Sequence, residues 1–184
     1  DMPAFVKELV KYPFTALTGV NTLFNGLLNT PGFSDIDFSR LKLALGGGMA
    51  VQKAVADRWQ QVTKTRLLEG YGLTECSPMV SMSPYDQDGY NGTIGVPAPS
   101  TNIKIMLENG EEAPMGEPGE MWVHGPQVMK GYYNREEATN EILKDGWLAT
   151  GDIAKCHENG HFSIVDRKKA VSYTHLRAHE TKKH

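Results

Sequence analysis

Three consecutive glycines, Gly46-Gly47-Gly48, stand between an apolar run at residues 41–45 and a stretch in which Val51, Val55, Arg58, Trp59 and Val62 mark a helix with one apolar stripe. A buried strand, a glycine turn and a helix in that order form one unit of an alternating fold. A second short strand, residues 66–68, runs into Glu69-Gly70-Tyr71-Gly72-Leu73-Thr74-Glu75. The first 80 residues therefore read as α/β with a parallel sheet, with both glycine-bearing turns at the C-terminal ends of strands. In open sheets of this kind that edge binds ligands.

Residues 12–34 carry no charge, a length that would cross a bilayer at about 20 residues per span. Asn21, Asn25 and Asn29 recur at helical spacing beside Leu23, Phe24, Leu27 and Leu28, and Pro31-Gly32 breaks the run. A buried amphipathic helix fits that pattern better than a membrane span. Beyond Pro84 the texture changes. Asp88-Gly89, Asn91-Gly92, Asn109-Gly110, Asp145-Gly146 and Asn159-Gly160 supply frequent turns, so short strands should dominate. Ile103, Ile105 and Leu107 alternate with Lys104, Met106 and Glu108, and Met121 and Val123 with Glu120, Trp122 and His124, which predicts a pair of half-buried strands. Asn134 followed by Glu137 resembles a capping box, and Gly146 stands where a helix C-terminal glycine would. Two more strands should flank Asn159-Gly160. The resulting division is an α/β part over 1–85, a β-rich, barrel-like part over 86–169 and a tail over 170–184.

With 19 Lys plus Arg against 22 Asp plus Glu, net charge −3, the chain has no basic excess for a nucleic-acid partner. Its 40% apolar residues can fill a core, which excludes a disordered chain. Cys76 and Cys156 form no CxxC pair, which suits free thiols in a reducing, cytoplasmic compartment. The sequence shows no secretory signal and does not begin with Met, as expected of a piece of something longer. His157 with His161, and His175 with His179, have i, i+4 spacing but no third ligand nearby.

The densest chemical signal is residues 69–75. Two glycines let backbone approach a ligand, a ring can stack on a base, Thr74 can donate to a phosphate and Glu75 can hold a hard cation. A tight turn with a solvated acid has the same spacing, and from the residues alone both readings stand.

Tyr71-Gly72-Leu73-Thr74-Glu75 resembles the signature of the adenylate-forming enzymes: acyl-CoA synthetases, luciferases and peptide-synthetase adenylation domains. Gly46-Gly47-Gly48-Met49, Gly92-Thr93-Ile94-Gly95-Val96-Pro97, Gly131-Tyr132, Gly146-Trp147 with Thr150-Gly151-Asp152, and Val165-Asp166-Arg167-Lys168-Lys169 follow in the family's order. Within that superfamily, Tyr12-Pro13-Phe14-Thr15, the segment Thr18-Gly19-Val20-Asn21-Thr22-Leu23-Phe24 and Gly125-Pro126-Gln127-Val128-Met129 look like the bacterial long-chain fatty acid CoA ligases.

The resemblance implies an AMP-forming acid–thiol ligase that uses ATP, magnesium and coenzyme A. A fatty carboxylate oxygen attacks the α-phosphorus, pyrophosphate leaves, and the coenzyme A thiol then displaces AMP to give a thioester. Gly46, Gly47 and Gly48 would line the adenine and acyl side, with Glu69, Gly70, Tyr71 and Gly72 continuing the nucleotide site and Tyr71 stacking on adenine. Thr74 would hydrogen-bond the α-phosphate and Glu75 would coordinate magnesium. Asp152 would accept the ribose hydroxyls and Arg167 would reach the same sugar. Val20, Asn21, Met79 and Val80 are the acyl-side candidates, equally well explained as core. Lys169 falls at the family's inter-domain hinge.

The partners implied are small molecules, with peripheral contact at the membrane's inner face suggested by the substrate alone; no oligomeric state follows. Two family parts have no counterpart in the sequence: an upstream phosphate-gripping loop and a C-terminal domain with a catalytic lysine. The chain is therefore expected to be inactive by itself. The tail resembles translated adaptor or vector sequence. The alternatives are a medium-chain or aryl acid ligase, or a nucleotide-binding module without catalysis.

Overall fold

The structure, a computed structural model, describes residues 1–167. The hinge assignment at Lys169, the pair His175 and His179, and the tail 170–184 lie outside the described residues. The chain divides into two compact units, one made of residues 1–73 and 81–95, the other of residues 74–80 and those from Val96 onward. Compactness thus divides the chain differently from the sequence boundary at 85 and 86.

In the first unit, α1 (Met2–Lys11), β1 (Ala16–Gly19), α2 (Asn21–Leu28), β2 (Leu43–Gly46), α3 (Lys53–Thr63) and β3 (Leu67–Gly72) alternate as expected of an α/β chain. β1 and β3 both pair in parallel with β2. Parallel neighbours need crossovers, and α2 and α3 supply them. The helices bury Phe24, Leu27, Val55 and Trp59 with Ala44 and Leu67 of the sheet and Phe33 of a 3-10 turn. The Trp59 ring meets Phe24 edge-on at 4.9 Å and lies 5.5 Å from Phe33.

Three local readings change here. The uncharged stretch holds β1 as well as α2: a four-residue strand is too short to display an alternation, and its pairing with β2 comes from residues far along the chain. Helix α1 also went unread, although Pro3 suits a first helical turn and Val6 and Leu9 bury on one side. Glu69-Gly70-Tyr71-Gly72, read as a turn, is the second half of β3, because Gly46 pairs with Glu69 and the Ser83 N–H donates to the Glu69 carbonyl at 2.8 Å.

β4 (Met79–Met82) lies where the chain passes from the second unit back to the first. The second unit resumes with β5 (Val96–Pro97), after which the Ala98 N–H donates to the Val80 carbonyl at 2.9 Å. Its remaining elements are β6 (Asn102–Met106), β7 (Gly119–His124), α4 (Glu136–Ile142), β8 (Leu143–Lys144), β9 (Trp147–Cys156) and β10 (Phe162–Arg167). They form a curled antiparallel sheet in the order β10-β9-β7-β6, with β8 also paired to β9. Ile105, Met121, Val123, Leu148, Ala154 and Phe162 are buried in it. On the other face Lys104 Nζ sits 4.1 Å from the Trp147 ring centre and 5.3 Å from that of Trp122.

The helix in this unit is shorter than its signals suggested. Arg135, not Asn134, is the residue before α4; Asn134 has a left-handed backbone, φ 51°, and no side chain caps the helix. Gly146 does not end the helix either. Asp145 and Gly146, φ 52° and 80°, form the tight turn between β8 and β9, a conformation the Asp-Gly pair accepts readily.

Candidate functional site

In the first unit the C-terminal ends of three parallel strands bring the glycine candidates to one sheet edge. The Gly47 N–H donates to the Gly19 carbonyl at 3.0 Å, and a Cβ at Gly47 would sit 3.1 Å from the Gly70 carbonyl oxygen. Gly48 turns away with φ 73°, a backbone that side chains resist, and a Cβ there would touch Val20. Val20 is 40% exposed at this edge. Asn21 is buried, and its Oδ1 accepts the Gln52 N–H at 2.9 Å, fixing the start of α3.

Glu69 is buried beside it, and its Oε1 accepts the Val51 N–H at 3.1 Å. Burial pushes the Glu69 carboxyl up to about 7, against the opposing pull of that N–H. Two candidates from the motifs thus hold the backbone of residues 51 and 52 by their side chains. Tyr71 and Gly72 are half-buried at the end of β3.

In the second unit Thr74 is exposed and opens a 3-10 turn that includes Glu75 and Cys76. Segment 125–129 grips this turn and the strand after it. The Met129 N–H donates to the Glu75 carbonyl at 2.8 Å, Ser77 Oγ donates to the Gln127 carbonyl at 2.9 Å, and Gln127 Nε2 donates to the Met79 carbonyl at 3.1 Å. The Glu75 carboxylate accepts the Tyr132 hydroxyl on Oε1 at 2.5 Å. That bond, with burial secondary, raises the Tyr132 phenol above its ordinary value. No hydrogen bond or ion pair from the described residues engages Oε2. Neither Gln127 nor Tyr132 was singled out as a site residue, though both lie in segments that carried the resemblance.

Met79 is half-buried, and Val80 is completely enclosed. Cys76 is buried, and desolvation, helped by the Glu75 charge, pushes its thiol up to about 11. Cys76 and Cys156 are both free.

Asp152 lies on β9 with the inward positions Leu148 and Ala154, a carboxylate where the alternation calls for an apolar residue. Such a position is costly unless the charge is paired. Arg167, directly opposite on β10, supplies the pair: its Nε lies 2.9 Å from Asp152 Oδ1, and its side chain is otherwise largely exposed. The Asp152 N–H donates to Thr150 Oγ1 at 3.1 Å, and that hydroxyl donates to the Met121 carbonyl at 2.8 Å. The β9–β10 pairing slips by one residue between Ile164 and Asp166, a bulge that sets the Asp152–Arg167 register. The two ribose candidates therefore meet.

Among the described residues no group of three His, Cys, Asp or Glu side chains converges as a metal cage. His157 Nε2 is instead hydrogen-bonded with Ser163 Oγ at 2.8 Å. No helix among the described residues is long and apolar enough to cross a membrane.

The chain thus carries a parallel α/β sheet with glycines at its carboxyl edge and, later in the sequence, a curled antiparallel sheet with a buried, arginine-paired aspartate. The chain belongs to the AMP-binding enzyme family, whose model matches residues 1–133. A long-chain-fatty-acid–CoA ligase of Yersinia pestis is 60% identical over 169 residues, which cover 92% of this chain and 30% of that protein. ATP-bound MatB from Rhodopseudomonas palustris superposes with a TM-score of 0.79 at 31% identity, covering 91% of this chain and 33% of that one. A benzoate CoA ligase from Burkholderia xenovorans LB400 gives 0.83 at 25% identity over 92% of this chain and 35% of the other. The chain spans about 30% of the length of the curated relatives it matches.

Proposed function

We propose that the chain is part of an AMP-forming long-chain fatty acid CoA ligase and carries nucleotide and acyl contacts of that enzyme. The observation that carries the reading is the Asp152–Arg167 pair. An inward carboxylate held by a largely exposed arginine presents an anionic acceptor of the kind that suits a vicinal diol. The identity of 60% to a long-chain ligase, against 25% to a benzoate ligase, favours a fatty over an aryl acid.

In this reading Tyr71 stacks on adenine, Thr74 donates to the α-phosphate, and Asp152 and Arg167 hold the ribose. The glycines of residues 46–48, with Gly70 and Gly72, let backbone approach the bound nucleotide, while Glu69 serves the site by fixing the chain at Val51. Val20, exposed at the same sheet edge, is the better acyl candidate; Asn21, Met79 and Val80 contribute mainly by shaping the wall. Glu75 fits a magnesium ligand because Oε1 is occupied by Tyr132 while Oε2 keeps its lone pairs. Magnesium bound there would neutralise charge that builds on the phosphates. The fatty carboxylate oxygen forms a bond to the α-phosphorus as pyrophosphate leaves. The coenzyme A sulfur then attacks the acyl carbon, and AMP departs.

The functional division at residue 85, the hinge at Lys169, the non-native tail, a cytoplasmic location and peripheral membrane contact belong to the same reading.

The test is pyrophosphate exchange by the intact enzyme that carries this chain, run with a series of fatty acids and with benzoate. Exchange rising with chain length supports the reading. Exchange with benzoate alone would transfer the chain to the aryl ligases, and saturable ATP binding without any exchange would leave a non-catalytic nucleotide module.

A further inference from the structure

The Glu75 carboxylate does not stand alone. Its Oε1 takes the Tyr132 hydroxyl at 2.5 Å, its main-chain carbonyl takes the Met129 N–H at 2.8 Å, and Tyr132 itself is anchored from α4. The Tyr132 N–H donates to Thr139 Oγ1 at 2.9 Å, and the same hydroxyl donates to the Arg135 carbonyl at 2.8 Å. Gly131, with φ 152°, lets Thr139 come this close: a Cβ at Gly131 would lie 2.8 Å from the Thr139 methyl. A relay therefore runs from the first turn of α4 through Thr139 and Tyr132 to one oxygen of Glu75.

We propose that Tyr132, locked by Thr139, is a positioning residue that fixes the Glu75 carboxylate so that Oε2 faces the cation accompanying ATP. The inference rests on the ligase reading above. A half-buried carboxylate without a fixed partner samples several rotamers, and only some direct an oxygen to a phosphate-bound cation. A short hydrogen bond to its other oxygen selects one of them before the cation arrives. The phenol also draws electron density from the carboxylate, which opposes cation binding. The direction of the effect is therefore a real test between orientation and competition.

The experiment uses the intact ligase. ATP affinity is measured by titration calorimetry without fatty acid, once with magnesium chloride and once with the metal chelated away. In the wild-type enzyme magnesium should tighten ATP binding. Tyr132→Phe should shrink that gain about tenfold while leaving metal-free binding within about twofold, as expected for one lost hydrogen bond to a charged group. Thr139→Val should shrink the gain in the same direction by less, and Thr139→Ser, which keeps the hydroxyl, should restore it.

Equal weakening with and without magnesium would reduce Tyr132 to a structural prop and overturn the proposal. So would an unchanged gain, or a larger one, which would mean that the phenol competes with the cation. Glu75→Gln separates the two levels of inference. Loss of the gain in Glu75→Gln but not in Tyr132→Phe removes the positioning role alone. An undiminished gain in Glu75→Gln removes the magnesium assignment of Glu75 and the role of Tyr132 with it.

Discussion

One atom separates glutamate from glutamine at position 75, and the exchange removes charge while keeping size and an oxygen for Tyr132. In the intact enzyme Glu75→Gln should lower fatty-acid-dependent pyrophosphate exchange roughly a hundredfold, since one electrostatic contact at a transition state contributes on the order of 3 kcal/mol. Its side chain is only half-buried and the amide keeps an acceptor for Tyr132, so the melting temperature should change little, corresponding to less than about 0.5 kcal/mol. A matching collapse in melting temperature would make Glu75 structural. Glu69 calls for a different measurement. Its carboxyl ionises at about 7 in the folded state against an ordinary 4.5. The folded protein therefore holds this proton more tightly than the unfolded chain, and the contribution to stability is fullest below 4.5 and is lost as pH rises to about 7. Glu69→Gln keeps an acceptor for the Val51 N–H without the charge. Melting curves for both proteins between about pH 4.5 and 8 should converge at the acid end, with the variant the more stable at the alkaline end. A constant offset across that range would show that burial does not penalise the Glu69 anion.

At the scale of elements, the start of α3 depends on side chains from two other segments. Asn21 reaches Gln52 and Glu69 reaches Val51, because no side chain of α3 caps its own first turn. Asn21→Ala removes the acceptor of the part-buried Gln52 N–H and should cost about 1 kcal/mol in chemical denaturation, with no selective rise in the KM for fatty acid. A rise in that KM at unchanged stability would make Asn21 a direct contact of the acyl chain and not a support of the wall behind it. The helices α2 and α3 were legible because an apolar stripe repeats with their own period, and β6, β7, β9 and β10 because turns bracket their alternation. β1 was hidden, since four residues carry no period and β2 defines the strand by pairing with it. The end of α4 was misread because Asp145-Gly146 closes a β-turn, a signal equally suited to a helix end. Asp152 was legible only through the family likeness, although a carboxylate two places from Ala154 on an inward row is itself a signal. Its meeting with Arg167 depends on the bulge in β10, which no local pattern announces. Tyr132 was passed over because its contact with Glu75 joins positions far apart in sequence.

For the whole molecule, the reading demands more chain than the 184 residues here, which span about 30% of their curated relatives. The isolated chain should give no fatty-acid-dependent pyrophosphate exchange under conditions in which the intact enzyme does; turnover by the isolated chain would end the assignment of phosphate-gripping and lysine-bearing parts outside it. The order in which the backbone visits the two units has a practical result for anyone who cuts this protein. The chain passes from one unit to the other after Leu73, returns after Val80 and leaves again after Gly95. No single nick can free either unit intact. A truncation ending at residue 95 carries residues 74–80 as an orphan of the second unit, and one beginning at residue 96 lacks them, so limited proteolysis or gene dissection should yield unstable halves where a bead-like two-domain chain would yield stable ones.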